Sequence, residues 1–281
     1  MLKFTKMEGI GNDYIYFDGI NQNVPLNIEF IQKISNRNYG IGSDGMIVIL
    51  NSDVADFKMR MFNLDGSEGQ MCGNGIRCFA KYVYEHKMTD KTYLEIETLA
   101  GIKSVWLNVE EGKVVSVKVD MGEPITKCED IPCLFSKEEM INEDIEVNGR
   151  QYSMTSVSMG NPHAVLFVDD LNFDISVLGR QLERHPLFPE SVNSEFVVVI
   201  DDSHLKMRVW ERGSGETLAC GTGACASFYA SYLNGYCGDH VQISLKGGTL
   251  DIELKDGHIY MSGPARTSFE GYINEEEYYV R

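Results

Sequence analysis

Two short segments of the chain, Met71-Cys72-Gly73-Asn74-Gly75 and Ala219-Cys220-Gly221-Thr222-Gly223, carry the same Cys-Gly-x-Gly pattern, and the interpretation of the whole sequence starts from them. Their cysteines are 148 residues apart. Two more pairs of similar segments occur in the same order at spacings of 149 and 150 residues: 11–18 with 160–169, and 43–48 with 193–198. Because a period near 150 residues is far too long for a solenoid, these matches indicate that the second half of the chain repeats the first.

Strand and helix patterns surround these segments. Runs rich in β-branched residues recur along the chain, and several alternate apolar with polar residues, which predicts half-buried strands. Helical patterns cover residues 28–36, with Asn27 as the N-cap, and follow both glycine-rich segments near residues 76–86 and 224–233. The sequence therefore predicts an α/β protein of the α+β type with two similar domains related by a pseudo-twofold axis: residues 1–121 with a return of residues 269–281, and residues 122–268.

The composition restricts the partners that the protein can have. Lys and Arg number 25 against 42 Asp and Glu, a formal net charge of −17, which opposes binding to nucleic acid or to an acidic membrane surface. No apolar run approaches the roughly 20 residues that a bilayer-spanning helix needs. The first residues lack the apolar core of a signal peptide, and an odd number of cysteines, seven, indicates reduced thiols. We expect a cytoplasmic protein that binds a small molecule.

The two Cys-Gly-x-Gly segments also predict chemistry. The start of a helix binds anions such as carboxylates and favours thiolate over thiol, which predicts cysteine pKa values below the free value of about 8.5. Two such thiols on matching halves suit stereochemical inversion, in which Cys72 or Cys220 removes an α-proton and the other delivers a proton to the opposite face. His163 and Glu211 are candidates for tuning the thiol pKa values. No metal is required, since the histidines are dispersed and Cys-x-x-Cys pairs are absent from the sequence.

Other interpretations of the same residues stay open at this point. A cysteine hydrolase would use Cys220 with His163, but it leaves the internal repeat unexplained. A binding protein without turnover would not need the thiols. The glycine patterns at 40–45 and 221–226 imitate dinucleotide motifs, but the first leads into a strand-like run and a loop separates the second from the strand before it. The other five cysteines are interpreted as inert buried side chains.

Longer stretches around these segments resemble the diaminopimelate epimerase family. The resemblance covers nearly the whole chain and rests mainly on four motifs: Gly11-Asn12-Asp13, Met71–Cys78, Gly160–Val165 and Trp210–Ala224. It implies an epimerase that needs neither PLP nor another cofactor and interconverts LL- and meso-2,6-diaminopimelate for lysine and peptidoglycan precursor biosynthesis. It also implies a homodimer, and two barrel-like domains that each wrap a central helix, with the active site in the cleft between them.

The resemblance implies roles for individual residues. Cys72 and Cys220 would be the acid/base pair, and Phe269 would lie at a dimer contact. The reacting carboxylate would be held at the first turns of the two helices, at Gly73, Asn74, Gly221 and Thr222. The other substrate-binding positions would be Asn12, Asn63, Asn161, Asn193, Glu211 and Arg212. Such a set of amides with one acid and one arginine suits a substrate whose second end carries an amine and a carboxylate.

Two positions depart from the family pattern. Gly45 stands where some members carry a pocket glutamine, so one side-chain contact is missing or replaced, and Ser194 stands where an apolar residue is commoner. The nearest alternative function is a racemase of the same fold that acts on histidine or a proline derivative. Retention of the Glu211-Arg212 pair argues instead for a substrate with a second zwitterionic end.

Overall fold

The computed structural model describes residues 1–278, which form two compact units. The first unit consists of Met1–Val119 together with the described residues from Gly263 onward, and the second of Asp120–Ser262. The domain division expected at 121/122 and 268/269 stays a prediction. The boundaries between the two compact units lie slightly earlier in the sequence, at 119/120 and 262/263.

The secondary structure elements follow one another in the same order in both units. The first unit contains β1 (Leu2–Gly9), β2 (Asn12–Asp18), α1 (Ile28–Ser35), β3 (Gly45–Leu50), β4 (Phe57–Asn63), β5 (Glu68–Gly69), α2 (Gly73–Glu85), β6 (Tyr93–Thr98), β7 (Gly101–Glu110) and most of β8 (Lys113–Gly122). The second contains β9 (Glu143–Val147), β10 (Arg150–Ser158), β11 (Pro162–Phe167), α3 (Ile175–Glu183), β12 (Asn193–Asp201), β13 (His204–Glu211), β14 (Gly215–Thr217), α4 (Gly221–Leu233), β15 (His240–Leu245), β16 (Gly248–Lys255) and β17 (His258–Gly263). Strand β18 (Arg266–Ile273) pairs with β1 from Leu2 to Glu8, which explains why the chain returns to the first unit before residue 269.

The strand pairing repeats from one unit to the other. In the first unit, β1 and β2 are antiparallel, β2 and β3 parallel, β3 and β4 antiparallel, β4 and β6 parallel, and β6 and β7 antiparallel. In the second unit, β10, β11, β12, β13, β15 and β16 pair in the same alternation. The short strands β5 and β14 pair with β4 and β13 in the same way. The predicted α/β class is confirmed, and the described residues are mostly strand with four α-helices.

Each unit has one buried helix among its strands. Helix α2 contacts β1, β2, β3 and β7, and its residues from Gly73 to Val83 are all buried. Helix α4 contacts β10, β11, β12, β13, β15 and β16. Both helices begin three residues before the patterns predicted at 76 and 224, because Cys72 and Cys220 are the N-caps and the glycines form the first turn.

A second helix of each unit covers a separate hydrophobic core. The predicted N-cap of α1 is confirmed, since Asn27 Oδ1 accepts the Phe30 N–H at 2.9 Å. In the second unit, the Trp210 ring from β13 packs directly against α3, where a β-carbon on Gly179 would lie 2.4 Å from Trp210 Cγ. The indole N–H donates to Glu183 Oε2 at 2.8 Å, which holds the ring in place. The contact between α3 and β13 therefore depends on glycine at position 179.

We expect Gly179→Ala to destabilise the second unit. The added methyl group forces the Trp210 ring or the helix to move, at a cost of about 1–3 kcal/mol in the free energy of unfolding. Alanine is otherwise the better helix former, so a loss of stability isolates the clash. Urea unfolding followed by circular dichroism measures the change. Gly238→Ala is the control, since a β-carbon there has nothing within 4 Å; equal stability of the two variants would contradict the prediction.

Candidate active site

Cys72 and Cys220 occupy the same position in their respective units. Each is the N-cap of the buried helix and has an extended backbone. Each Sγ accepts the backbone N–H three residues later at 3.3 Å, from Gly75 in the first unit and from Gly223 in the second. The first turn of a helix carries unpaired N–H groups and a partial positive charge. Each unit therefore presents a thiol beside a helix end that can bind an anion.

The glycine at the third helical position leaves room for a neighbouring side chain. A β-carbon on Gly75 would lie 2.8 Å from Ile47 Cδ1. A β-carbon on Gly223 would lie 2.6 Å from Glu195 Oε1 and 3.3 Å from Cys220 Sγ. Only a hydrogen atom allows β3 or β12 to approach the helix end so closely.

In the first unit, Asn12 joins the start of β2 to the cysteine. Its Oδ1 accepts hydrogen bonds from the Cys72 thiol at 3.2 Å and from Asn74 Nδ2 at 3.4 Å. Its Nδ2 donates to Asp44 Oδ2 at 2.7 Å. Two of the predicted substrate-binding residues, Asn12 and Asn74, are thus brought together at the Cys72 thiol.

The backbone at Gly45 leaves no room for a side chain. A β-carbon on Gly45 would lie 2.0 Å from the Phe62 carbonyl oxygen, so a glutamine does not fit this backbone. The neighbouring Asp44 instead supplies the side chain that reaches Asn12. Arg37 donates to the other Asp44 oxygen at 2.8 Å and holds the carboxylate in place.

Arg77, to which the motifs assigned no role, is a wholly buried cation on α2. Its guanidinium donates to the Gly73 carbonyl oxygen at 3.1 Å, to Asn74 Oδ1 at 2.9 Å and to the Pro264 carbonyl oxygen at 3.2 Å. These bonds tie the first helical turn to the returning chain. The available signal was an arginine within an otherwise apolar stretch of the predicted helix.

In the second unit, a fully buried pair stands where β11 and β12 meet. His163 Nδ1 lies 2.7 Å from Glu195 Oε1, and His163 Nε2 lies 3.1 Å from Asn161 Oδ1. Sequence reasoning predicts His163 and Asn161 as site residues but misses Glu195. The available signal was a carboxylate in an apolar strand, at the position that matches Gly45 in the internal repeat.

Asn193 links β11 and β12 to the loop after β13. Its Nδ2 donates to the Pro162 carbonyl oxygen at 3.0 Å, and its Oδ1 accepts the Arg212 N–H at 3.0 Å. The Arg212 side chain is exposed and donates to the Glu190 carbonyl oxygen at 3.1 Å. Asn193 therefore positions the backbone from which Arg212 projects.

Glu211 and Thr222 approach Cys220 from different elements. Thr222 Oγ1 lies 3.5 Å from Cys220 Sγ. Glu211, the last residue of β13, accepts a hydrogen bond from Thr217 on β14, and its charge acts on Cys220. Two predicted site residues thus influence this thiol, one by contact and one through its charge.

Two predicted residues, and one position that departs from the family pattern, lie apart from these contacts. Asn63 is exposed at the end of β4, and its Nδ2 donates to Ser67 Oγ at 3.0 Å. Ser194 is buried, and its hydroxyl has no hydrogen-bond partner among the described residues. Phe269 is 49% exposed on β18 and packs edge-on against Phe4, with ring centroids 5.9 Å apart.

The predicted lowering of the thiol pKa is wrong for Cys72. Burial raises the pKa of the Cys72 thiol above its ordinary value, because the surrounding protein atoms disfavour the charged thiolate. Hydrogen bonds from the Gly75 N–H and the Tyr14 hydroxyl act in the opposite direction, and so does the charge of Arg77. Tyr14, also missed from the sequence, matches His163 in the internal repeat.

The predicted lowering of the thiol pKa is also wrong for Cys220, whose pKa is raised further than that of Cys72. Burial raises the pKa of the Cys220 thiol well above its ordinary value, and the carboxylates of Glu211 and Glu195 raise it further. Bonds from Thr222 and the Gly223 N–H lower it only in part. Loss of solvent therefore outweighs the helix-end field at both thiols, and their charged neighbours act in opposite directions.

Metal-binding clusters and membrane helices are absent from residues 1–278. No group of three or more His, Cys, Asp and Glu side chains in that range is placed to hold a metal ion. None of its helices has both the length and the apolar character needed to cross a bilayer. All seven cysteines, which lie within the described range, are free thiols, and Cys237 is partly exposed where the sequence predicts burial.

Comparison with known sequences gives one family. The profile of the family described as diaminopimelate epimerase matches residues 4–127 and 155–268. A protein of that name from Methanococcus maripaludis is 58% identical, and the match covers 97% of this chain and 100% of the relative. Another of that name, from Acetivibrio thermocellus, is 53% identical over 98% of this chain and 100% of the relative.

Solved structures share the fold at low sequence identity. A probable proline racemase from Agrobacterium radiobacter has a TM-score of 0.74 and 15% identity, covering 98% of this chain and 93% of that chain. A methylitaconate-delta-isomerase has a TM-score of 0.67 and 15% identity, covering 100% of this chain and 97% of that chain. At this identity the similarity shows the fold alone.

We expect Asn12→Asp to lower the stability of the protein as the pH rises. The new carboxylate would face Asp44 Oδ2 across the 2.7 Å that the amide hydrogen bond now spans, so the pKa of one carboxyl is raised in the folded state. A carboxyl whose pKa is raised on folding does not lower the free energy of unfolding below the unfolded pKa of about 3.9. As the pH rises through the raised pKa of the folded state, that stability is lost. Each unit of pKa difference is worth about 1.4 kcal/mol.

Urea unfolding of the Asn12→Asp variant between about pH 4 and 8 measures this loss. Asn21→Asp is the matched control, because Asn21 Nδ2 donates to Asp18 Oδ2 at the same 2.7 Å but in an exposed position. Solvent screens the exposed pair of carboxylates, so its pH dependence should be smaller. The same pH dependence in both variants would refute coupled titration of the carboxyls at positions 12 and 44.

Proposed function

This chain belongs to the diaminopimelate epimerase family, and we propose that it epimerises diaminopimelate at one α-carbon with Cys72 and Cys220 as the two acid/base groups. The protein is an isomerase, and its substrate follows from its near full-length similarity to relatives of that name. The observation that carries the residue assignment is the thiol N-cap of a buried helix, present in both units.

The proposed reaction is a proton exchange on opposite faces of one carbon. One thiolate takes the α-proton and becomes a thiol, and the electron pair left on the carbon is delocalised toward the carboxylate. The other thiol then gives its proton to the opposite face and becomes a thiolate. The configuration at that carbon inverts, LL to meso or the reverse. A single group cannot do this, because it reaches only one face.

The first turns of α2 and α4 supply the stabilisation that this carbanion needs. A carboxylate that accepts backbone N–H groups at Gly73, Asn74, Gly221 and Thr222 carries the developing charge where oriented dipoles favour it. The raised pKa values of the thiols suit the same step, because a thiolate of higher pKa is the stronger base toward a weakly acidic α-proton.

The second end of the substrate carries one amine and one carboxylate, which we assign to the predicted substrate-binding residues outside the helix ends. Glu211 suits the ammonium group, and the exposed Arg212 guanidinium suits the carboxylate through paired hydrogen bonds. The amides of Asn12, Asn63, Asn161 and Asn193 complete this set, and His163 acts on the thiol chemistry through its neighbours. A substrate without a second charged end would leave Glu211 and Arg212 unused.

We propose that the reaction needs no PLP or other cofactor, since the two thiols perform both proton transfers and the helix ends stabilise the charge that develops on the carboxylate. Free thiols at all seven cysteines support a reducing, cytoplasmic location. The product would serve the biosynthesis of lysine and of peptidoglycan precursors.

Incubation with LL-diaminopimelate in deuterated water, with no added cofactor, should give meso product with deuterium at the α-carbon. Cys72→Ala and Cys220→Ala should each lose about 10²–10⁴-fold in rate while the fold is retained, because neither thiol can replace the other on the opposite face. Mass spectrometry and chiral chromatography measure the exchange. Cys237→Ala is the control, because the Cys237 thiol is not among the predicted site residues and donates to the Phe228 carbonyl oxygen at 4.0 Å.

Other outcomes of these experiments would point to a different function or to a different substrate. Full turnover by Cys72→Ala, or a trapped acyl-enzyme at Cys220, would support a cysteine hydrolase and refute the two-thiol reaction. Tight binding of diaminopimelate without deuterium incorporation in the wild-type chain would support a binding protein. Turnover of histidine or a proline derivative in its place would refute the substrate assignment.

We further propose a homodimer with Phe269 at the subunit contact. A phenylalanine that is 49% exposed on β18 buries apolar surface when a second chain covers it. Phe269→Asp should shift the sedimentation coefficient from dimer to monomer. Leu134→Asp is the control, because Leu134 is 68% exposed in the second unit. A wild-type chain that sediments as a monomer would refute the proposal.

A further inference from the structure

Glu195 is a buried carboxylate to which the proposed reaction gives no role. It lies on β12 with no exposed surface, and its Oε1 is 2.7 Å from His163 Nδ1. Its Oε2 has no hydrogen-bond partner among the described residues. Burial raises the pKa of this carboxyl, and the charge of His163 lowers it. An unsatisfied oxygen of this kind is rarely retained for stability alone.

The Glu195 carboxylate lies against the helix end that carries Cys220. A β-carbon on Gly223 would be 2.6 Å from Glu195 Oε1 and 3.3 Å from Cys220 Sγ. The separation of the carboxylate oxygen and the sulfur therefore cannot exceed those two distances combined. Within that range in a buried site, a negative charge disfavours a second negative charge on the thiol.

The first unit has neither a histidine nor a glutamate at the positions that match His163 and Glu195. In the internal repeat, Tyr14 stands where the second unit has His163, and Gly45 stands where it has Glu195. The neutral Tyr14 hydroxyl bonds Cys72 directly and favours its thiolate, and so does the charge of Arg77. Histidine and glutamate thus occur together in one unit and are both replaced in the other.

We propose that Glu195 is a positioning residue for the proposed reaction: its carboxylate fixes the His163 ring against Asn161 and holds Cys220 in the thiol form before substrate is deprotonated. Through His163, the carboxylate also orients the Asn161 amide, one of the proposed substrate ligands. This role rests on the proposed function of Cys220 as one of the two acid/base groups.

Charged and titratable groups face this carboxylate from three elements. They are His163 on β11, Glu211 on β13 and Cys220 at the start of α4. Glu211 also disfavours the Cys220 thiolate, so the effect of Glu195 has to be separated from that of Glu211. Glu195→Gln keeps an oxygen that can accept from the His163 ring and removes the negative charge of the carboxylate.

The test is the pH dependence of alkylation at each cysteine, measured by iodoacetamide labelling and peptide mass spectrometry. In Glu195→Gln, the alkylation profile of Cys220 should shift to lower pH by about one unit, which is about tenfold faster labelling at a pH below both pKa values. The profile of Cys72 in the same sample should not move, and it serves as an internal control.

Glu146→Gln is the matched control for net charge, since Glu146 is exposed on β9 of the same unit. It should leave the Cys220 profile unchanged, whereas Glu211→Gln should shift it in the same direction as Glu195→Gln. A Cys220 profile that does not move in Glu195→Gln, or that moves to higher pH, would overturn the proposal. An equal shift at Cys72 would also overturn it, because the effect would then be general.

A second measurement does not require a variant of Glu195 to fold. In the wild-type chain, the ¹⁵N shift of His163 Nδ1, identified by its loss in His163→Gln, should report a bound proton at neutral pH. A bare Nδ1 would place the proton on Glu195, remove its charge and overturn the proposal. Alkylation and ring protonation are read without turnover, so they stay interpretable even if Cys220→Ala retains epimerisation and the proposed function fails.

Discussion

A cysteine sulfur that caps a buried helix is the interaction on which the rest of each unit depends. The cap requires an extended cysteine, a glycine three residues later whose N–H reaches the sulfur, and space for a side chain from the adjacent strand. Because the helix is enclosed by strands, the thiol loses solvent at the same time as it gains the helix-end field. The two effects on its ionisation oppose each other, and burial is the larger at both sites.

The two units have one topology but opposite electrostatic surroundings at their thiols. Arg77 and the Tyr14 hydroxyl favour the thiolate of Cys72, whereas Glu195 and Glu211 disfavour that of Cys220. A reaction in which one sulfur removes a proton from a carbon and the other delivers a proton to its opposite face needs one thiolate and one thiol at the start. A duplicated fold supplies two equivalent positions for the sulfurs, and substitution of a few side chains around them makes the positions chemically different.

Much of this arrangement could be predicted from local patterns. The repeat, the N-cap Asn27, the helices after the glycine segments and the strand runs all depend on residues close together in the chain, and each is present. The thiol pKa could not be predicted in the same way. A helix end can be recognised from Cys-Gly-x-Gly, but desolvation depends on strands far away in the sequence. Glu195 and Arg77 were missed for the same reason, since only packing shows that a charge is buried beside a sulfur.

The amino-acid sequence by itself determined the α/β class, the duplication, the two capping cysteines and, through the length and specificity of the motifs, the family. These features are repeated or continuous along the chain, so they can be recognised without distances. Only the tertiary structure decided the protonation preference of each thiol, the lack of room for a side chain at Gly45 beside the Asn12–Asp44 hydrogen bond, and the pairing of His163 with Glu195. All three depend on which groups exclude water from one another, and this is set by strands that pair across many residues of chain.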